Sequence, residues 1–189
     1  MAAYQAFFTS NQYTANVLIK IPERSLVLLI GAAGSGKSTF AQKHFKSTEI
    51  VSSDALRGVV SDDEGDQTAS ADAFQLLGMI TTMRLRRGRL TVVDATNVQR
   101  PARKALLALA ARNSTPATAI VFNLPAAVCL ARNQSRAHRP VSWEVVEKQG
   151  ADLLGSLSGL AQEGFQNAYV MDNTEDIDSA SVLRETQNA

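Results

Sequence analysis

The sequence predicts an α/β fold with a doubly wound parallel sheet of about five strands and flanking helices. Apolar runs without polar alternation recur along the chain, as expected for strands that are buried on both faces of a parallel sheet. Segments with helical patterning separate these runs, and such alternation indicates crossover connections. The 189 residues, 45% of them hydrophobic and 20% charged, suit a single domain over 1–189 with a sizeable core.

The strands are predicted from the apolar runs. A short strand at 17–21, ending at Pro22, is expected as an addition at the edge of the sheet. The buried strands are predicted at 26–30, 49–52, 90–94, 118–124 and 168–171. Residues 1–16 form a weakly specified lead, and residues 172–189 are predicted as a polar tail.

Helices are predicted between the strands, and several carry end signals. Ser53 is predicted as an N-cap, Gly88 stands where a C-terminal cap belongs, and Pro101 fits a first helical turn. The acidic segment 61–66 is predicted as a loop. The predicted helices lie at 39–46, from Ser53 onward, at 71–87, at 101–112, from Pro125 through Cys129, and after Ser142.

The stretch 31–39, Gly-Ala-Ala-Gly-Ser-Gly-Lys-Ser-Thr, lies between the first buried strand and its helix. It is the Gly-x-x-x-x-Gly-Lys-Ser phosphate-binding loop (P-loop) in the strand-to-helix context that this motif requires. Its glycines let successive amides point at phosphate oxygens, and the helix adds its positive N-terminus. Lys37 is expected to reach the β- and γ-phosphates, and the Ser38 hydroxyl to ligate Mg²⁺. The predicted nucleotide-binding residues are Gly31, Gly34, Ser35, Gly36, Lys37, Ser38 and Thr39.

Two aspartates follow strands at the same predicted edge of the sheet, where ligands of such folds bind. Asp94 ends an apolar strand, as a Walker B acid does, and is expected to hold Mg²⁺ or a water bound to it. Asp54 has Arg57 three residues later on the same helical face. This pair suits an acceptor site in which the acid orients a hydroxyl and the arginine holds an anion. A plain salt bridge at a helix start is the alternative.

Arg132, Arg136 and Arg139 follow at spacings of four and three, which place them on one stripe of a helix. The stretch 132–139 contains no acidic residue that would pair with them. Such a stripe suits a helical lid that closes over a triphosphate and stabilises transition-state charge. An ordinary solvated helix face is the alternative. With the P-loop, a helical lid predicts an adenylate kinase-like type of P-loop kinase fold.

Composition and charge exclude some classes of protein. The net charge of +1 argues against a protein that coats nucleic acid through bulk charge, and the arginines between 84 and 89 are predicted as a solvated helix end. No apolar run reaches the roughly 18 residues of a membrane span, and residues 1–20 lack the pattern of a signal peptide, so a cytoplasmic location is expected. The single cysteine, Cys129, lies in an apolar context that favours packing.

Several stretches together resemble the kinase module of bacterial polynucleotide kinase-phosphatases, which heal RNA ends. The resemblance covers roughly residues 21–171. The matching stretches are 31–40, Ser-Ser-Asp-Ala-Leu-Arg-Gly at 52–58, 61–67, Thr-Val-Val-Asp-Ala-Thr-Asn-Val-Gln at 91–99, Val-Phe-Asn-Leu-Pro at 121–125, and 132–139.

This resemblance implies transfer of the ATP γ-phosphate to the 5′-hydroxyl of RNA or DNA, with ATP and Mg²⁺ as cofactors. It implies that Asp54 is the general base and that Arg57 binds a phosphate of the acceptor strand. It also implies that Arg132 and Arg136 contact the ATP phosphates and that Arg139 lies near the nucleobase. In the family, phosphatase and ligase-like parts follow the module, so phosphatase and ligase partners are expected here.

Two other functions remain open from the residues. The same core supports small-molecule P-loop kinases that act on a hydroxyl of a sugar, an antibiotic or a nucleotide-sugar. A non-catalytic ATP-binding switch or scaffold is the second alternative. Asp54 with Arg57 argues against a switch, because a switch needs no acceptor-site acid.

Overall fold

Five parallel strands form the main sheet, and the strand that leads into the P-loop lies at its centre. The structure is a computed structural model that describes residues 17–134 and 141–186. The strands are β2 (Leu26–Gly31), β3 (Ile50–Ser52), β4 (Thr91–Asp94), β5 (Ala117–Phe122) and β6 (Asn167–Met171). Their order is β3-β4-β2-β5-β6, and every neighbouring pair is parallel. The predicted five-stranded, doubly wound parallel sheet is confirmed.

Successive residues of β2 face opposite sides of the sheet, and both sides are buried. Val27 and Leu29 enter a core that includes Phe40 of α1 (Lys37–His44). Leu26 and Leu28 enter a second core on the other face. The helices that contribute buried residues to this second core are α3 (Ser70–Arg86), α4 (Arg100–Arg112) and α6 (Trp143–Leu157). Burial on both faces explains why the strand sequences lack polar alternation.

Of the three end signals named from the sequence, two agree with the structure and one is shifted. Gly88 follows α3 with a positive φ of 62°, and Pro101 lies in the first turn of α4. The N-cap of α2 (Ser53–Ser61) is Ser52, whose Oγ accepts a hydrogen bond from the Ala55 N–H at 3.4 Å. The prediction of Ser53 as the cap is wrong, because the chain is already helical there. None of the helices described within 17–134 and 141–186 combines the length and apolarity that crossing a membrane requires.

A second sheet lies apart from the main one in the strand pairing. It contains β1 (Leu18–Pro22) and β7 (Ser181–Glu185), which run parallel, with α7 (Thr174–Ser179) just before β7. The prediction that the first strand extends the main sheet is wrong, because the edges of that sheet are β3 and β6. Ile19 and Ile21 instead enter the core beside α1. The predicted polar tail therefore contains a helix and a strand.

Glu49 and Arg184 fasten β7 to the turn before β3. Arg184 donates two hydrogen bonds to the Glu49 carboxylate, at 2.9 and 2.8 Å. Burial raises the pKa of Glu49, but hydrogen bonds from the Arg184 guanidinium and the Lys46 backbone N–H outweigh it. The pKa of Glu49 therefore lies below its ordinary value of 4.5.

We expect Glu49→Gln to lower the free energy of unfolding at neutral pH by about 1–3 kcal/mol, since charge-assisted hydrogen bonds are lost. The native pKa of Glu49 is below the unfolded one, so the unfolded state binds more protons in acid. The stabilisation is complete above the unfolded pKa and is lost as the pH falls through the native pKa. Urea unfolding of both proteins between about pH 3 and pH 7 should show their difference shrinking toward acid.

Glu185→Gln is the matched control. Glu185 pairs with Lys20 at 3.3 Å, but both side chains are about half exposed. This change should cost less than about 0.5 kcal/mol at any of these pH values. A Glu49→Gln effect that does not vary with pH would contradict the assignment.

Candidate active site

The carboxyl ends of the central strands meet at one edge of the main sheet and open onto a cleft of ≈ 660 Å³. In the strand register, Asp94 is paired with both Leu29 of β2 and Ser52 of β3. The P-loop, the start of α2 and the residues after β4 therefore converge. All three line the same cleft, which is the position that a doubly wound sheet gives to its ligand.

Gly34 and Gly36 of the P-loop have positive φ, and each lies against α5 (Ala126–Gln134). Gly34 has a φ of 83°, and a Cβ there would lie 2.1 Å from the Cys129 carbonyl oxygen. Gly36 has a φ of 99° and is the N-cap of α1. A Cβ at Gly36 would lie 3.5 Å from Nη1 of Arg132. Glycine is therefore required at Gly34 by the close backbone of α5 and favoured at Gly36 by its φ, and together they let the loop curl into a cradle of backbone amides.

Lys37 and Ser38 begin α1 and line the cleft. The Lys37 ammonium donates to the carbonyl oxygens of Gly31 and Ala32, at 2.9 and 2.8 Å, and to Oγ of Ser35 at 3.2 Å. Lys37 is 7% exposed and Ser35 is fully buried. The Lys37 ammonium is therefore bound to the P-loop, close to the position that a bound anion would occupy.

Asp54 and Arg57 form the predicted ion pair at the start of α2, and both line the cleft. The Arg57 side chain is 9% exposed and that of Asp54 is 39% exposed. Nε of Arg57 also donates to the carbonyl oxygen of Glu64 at 2.9 Å. The Arg57 guanidinium is thus held by two partners. Its ion pair with Asp54 leaves the Asp54 carboxylate partly exposed in the cleft.

The acidic loop is part of this site, which the sequence did not indicate. Besides the Glu64 carbonyl that binds Arg57, Asp63 and Gly65 line the cleft. The Gly65 N–H donates to the Asp63 carboxylate at 2.7 Å, which stiffens the turn. Phe74 of α3 lines the same half of the cleft and is 47% exposed. A large apolar ring is therefore exposed to solvent in the cleft that Asp54 and Arg57 also line.

Asp94 ends β4, lines the cleft and is 7% exposed. The segment after it is tied to β2 on both sides. The Gly31 N–H donates to the Thr96 carbonyl at 2.9 Å, and Nδ2 of Asn97 donates to the Leu29 carbonyl at 2.8 Å. These bonds hold Asp94 and the P-loop in one rigid unit.

Arg103 and Glu163 stabilise the segment after Asp94, and neither residue was predicted from the sequence. Arg103 is fully buried and binds the Glu163 carboxylate with two hydrogen bonds, at 2.7 and 2.6 Å. Its Nη1 donates to the carbonyl oxygens of Asn97 and Val98. A signal was present: Arg103 lies three and four residues before Leu106 and Leu107, on the buried stripe of α4.

Arg132 lies on α5, half-buried and close to Gly36. Arg136 and Arg139, the other predicted lid arginines, lie outside the described residues. Asn133 is 1% exposed, and its Nδ2 donates to the Val141 carbonyl at 2.9 Å. This hydrogen bond joins the end of α5 to Val141 beside the P-loop.

Gln149 of α6 reaches the P-loop from the opposite wall and was not singled out from the sequence. Its Oε1 accepts a hydrogen bond from the Ala33 N–H at 2.8 Å. Gln149 lies between Val146 and Leu153, the two buried residues of α6, so its spacing placed it on the inner face. One P-loop amide is therefore held by a side chain that also lines the cleft.

Cys129 takes a packing role, as its sequence context predicts. It is fully buried beneath the P-loop. Burial raises the pKa of the Cys129 thiol, although Lys37 and Arg132 act in the opposite direction. The thiol is therefore neutral and poorly reactive.

The donor set around the P-loop fits ATP and Mg²⁺. The glycine cradle, Lys37 and Arg132 suit phosphate groups, and the Ser38 hydroxyl and Asp94 carboxylate suit a hard divalent cation. No group of three or more His, Cys, Asp or Glu side chains is gathered for a metal in residues 17–134 and 141–186.

The P-loop after a central parallel strand and the order of the sheet define a domain of the P-loop kinase fold. The chain belongs to the AAA domain family, whose model AAA_33 matches residues 26–160.

The chain is similar in sequence to one plant protein and in structure to several solved chains. The transcription factor bHLH140 of Arabidopsis thaliana is 33% identical over 111 residues, 59% of this chain and 11% of the plant protein. A chain in the structure of the Pnkp1/Rnl/Hen1 RNA repair complex matches with a TM-score of 0.63 at 20% identity, over 80% of this chain and 49% of that one. The APS kinase CysC of Mycobacterium tuberculosis, solved with AMPPNP and APS, matches with a TM-score of 0.52 at 17% identity, over 84% and 95%.

The chain thus spans about a tenth of the length of bHLH140 and about half of the repair-complex chain. The predicted P-loop kinase fold is confirmed by the structural matches.

Proposed function

We propose that this chain is a polynucleotide 5′-hydroxyl kinase, which transfers the γ-phosphate of ATP to the 5′ end of RNA or DNA. One observation carries the proposal: Asp54 and Arg57 line the same cleft as the P-loop and Asp94. A binding protein needs only the phosphate half of this cleft. A carboxylate held by a buried arginine supplies an acceptor half, and a phosphotransferase needs both halves.

In the donor half, the P-loop amides and Lys37 hold the phosphates of ATP. Ser38 and Asp94 would hold Mg²⁺, which would neutralise charge on the phosphate oxygens. Arg132 lies beside Gly36 and adds a guanidinium to the same group of phosphates. Arg136 and Arg139 belong to the proposal from the sequence alone.

In the acceptor half, Asp54 orients the 5′-hydroxyl and accepts its proton. The hydroxyl oxygen forms a bond to the γ-phosphorus, and the bond from that phosphorus to the β–γ bridging oxygen breaks. ADP leaves with the electron pair of that bond. Arg57, held by Asp54 and by the Glu64 carbonyl, binds an acceptor phosphate.

The choice of a polynucleotide acceptor has two supports. The ordered motifs from 31 to 139 resemble the kinase module of polynucleotide kinase-phosphatases, and a chain of an RNA repair complex shares the fold. The acceptor half also contains the exposed Phe74 ring, a surface on which a nucleobase could stack. Phosphatase and ligase partners belong to this proposal as well.

The direct test is transfer of radiolabel from [γ-³²P]ATP to a 5′-hydroxyl oligonucleotide. The control is the same oligonucleotide carrying a 5′-phosphate, which should accept no label. RNA and DNA strands are compared in parallel with a panel of sugars, nucleosides and adenosine phosphosulfate. Label in a small molecule alone would favour a small-molecule kinase, and ATP binding without any transfer would favour a switch or scaffold.

A further inference from the structure

A second cleft, of ≈ 940 Å³, lies at the opposite end of the molecule from the P-loop. It lies beside the residues that precede β2 and β4, and so at the amino ends of the strands. Six cationic side chains and two carboxylates line it, in a chain whose net charge is only +1. The cations are Arg24, Lys46, Arg84, Arg87, Arg89 and Arg184.

The charges of this cleft, here called the basic cleft, are poorly balanced. Glu49, one of its two carboxylates, is already paired with Arg184. Arg84 is held by the Leu90 carbonyl at 2.7 Å and by Thr91. Burial lowers the pKa of Arg84, and the charge of Arg89 lowers it further, while Glu49 acts in the opposite direction.

Three exposed arginines surround the turn after α3. Arg87 and Arg89 flank Gly88, and Cδ of Arg24 lies 3.5 Å from the position that a Cβ on Gly88 would take. In the described part of the chain, no carboxylate lies within salt-bridge distance of these three guanidinium groups. Placing like charges close together is unfavourable unless an anion neutralises them. The three guanidinium groups around this turn therefore favour the binding of an anion.

Helix α3 connects the two clefts. Ser70 and Phe74, near its start, line the cleft at the P-loop. Met83 and Arg84 near its end, and Arg87 directly after it, line the basic cleft. Its 17 residues span roughly 25 Å. At about 3.4 Å per stacked nucleotide, a strand needs roughly seven or eight nucleotides to cover this distance.

We propose that the basic cleft binds the phosphodiester backbone of a nucleic acid strand whose 5′ end lies at Asp54. The proposal rests on the polynucleotide function for its choice of ligand. The contacts are electrostatic and independent of sequence, because the described lining contains guanidinium and ammonium groups but no aromatic ring on which bases would stack. The cleft therefore distinguishes long acceptors from short ones.

The test compares Arg87→Ser/Arg89→Ser with a control, Lys104→Ser/Arg112→Ser, which removes the same charge from exposed positions of α4. Binding of 3′-fluorescein-labelled strands of about 4 and about 16 nucleotides is measured by fluorescence anisotropy at several salt concentrations. The cleft variant should bind the longer strand about tenfold more weakly, and its salt slope should fall by about 1.4, from two lost single-strand phosphate contacts. The shorter strand should bind equally to all three proteins.

Three results would overturn the proposal: unchanged affinity for the longer strand, an equal loss in the control, or an equal loss for both strands. Phosphorylation of the short strand is measured beside the binding and should be unchanged in both variants. Transfer to oligonucleotides with no effect of the cleft variant on long-strand binding would refute the basic cleft alone. A length-dependent binding loss without transfer to any oligonucleotide would refute the kinase function alone.

Discussion

Asp54→Asn is expected to lower phosphoryl transfer by a factor of about 10²–10⁴ while leaving ATP affinity nearly unchanged, because the variant removes the proposed general base and leaves the P-loop intact. Asparagine keeps the shape of aspartate and still accepts a hydrogen bond from Arg57. Arg57 also remains bound to the Glu64 carbonyl at 2.9 Å, so the acceptor half should keep its geometry. Single-turnover transfer to a 5′-hydroxyl strand and calorimetric titration with ATP measure the two quantities separately.

Asp72→Asn is the control for this variant, since Asp72 is an exposed aspartate of α3 outside the cleft lining. Its transfer rate should match that of the unmodified protein. Asp94→Asn should instead raise the Mg²⁺ concentration needed for half-maximal rate. Substantial transfer by Asp54→Asn, together with a loss in Asp94→Asn that added Mg²⁺ does not restore, would move the base role to Asp94.

Lys37→Met is expected to lower turnover by about 10²–10³, the usual cost of removing one preorganised charge from the transferring phosphoryl group. Methionine keeps an unbranched apolar stem but removes the ammonium, which binds the Gly31 and Ala32 carbonyls and Ser35. The loss should therefore appear in the rate at saturating ATP as well as in ATP affinity. Steady-state kinetics at saturating acceptor measures both.

Lys43→Met is the matched control, because Lys43 is an exposed lysine on the same helix, bound to the Asp178 carbonyl. Its turnover should be unchanged. Near-normal turnover of Lys37→Met would show that the loop lysine takes no part in transfer. Thermal unfolding of both variants checks that the P-loop remains folded.

The strands and the positions of the P-loop and Asp94 could be predicted because their signals are local. The P-loop is a contiguous motif between an apolar strand and a helix, and Asp94 ends its strand in the sequence itself. The pairing of Asp54 with Arg57 also follows from a spacing of three. Residues that lie within a few positions of each other can be predicted as neighbours without knowledge of the tertiary structure.

The parts that could not be predicted depend on residues that meet only after folding. Glu163 reaches Arg103 across 60 positions, and Gln149 reaches Ala33 across 116. These partners cannot be read from spacing, although Arg103 and Gln149 each lie on the inner face of a helix. Strand β7 was missed because it is five residues long and half exposed, so its apolar signal is weak.

The β1–β7 pair has a consequence for the order in which the chain assembles. Leu18 pairs with Ser181, and joining such distant residues in an open chain costs about 4–5 kcal/mol of closure entropy. β1 directly precedes β2 in the sequence, and α7 connects β6 to β7. Alignment of β2, β5 and β6 therefore already brings β1 and β7 close together, and most of the closure entropy has been lost by then. The Tyr169 hydroxyl then bonds the Lys20 backbone, joining the pair to β6. We therefore expect the small sheet to form late in folding, after the strands of the main sheet are ordered.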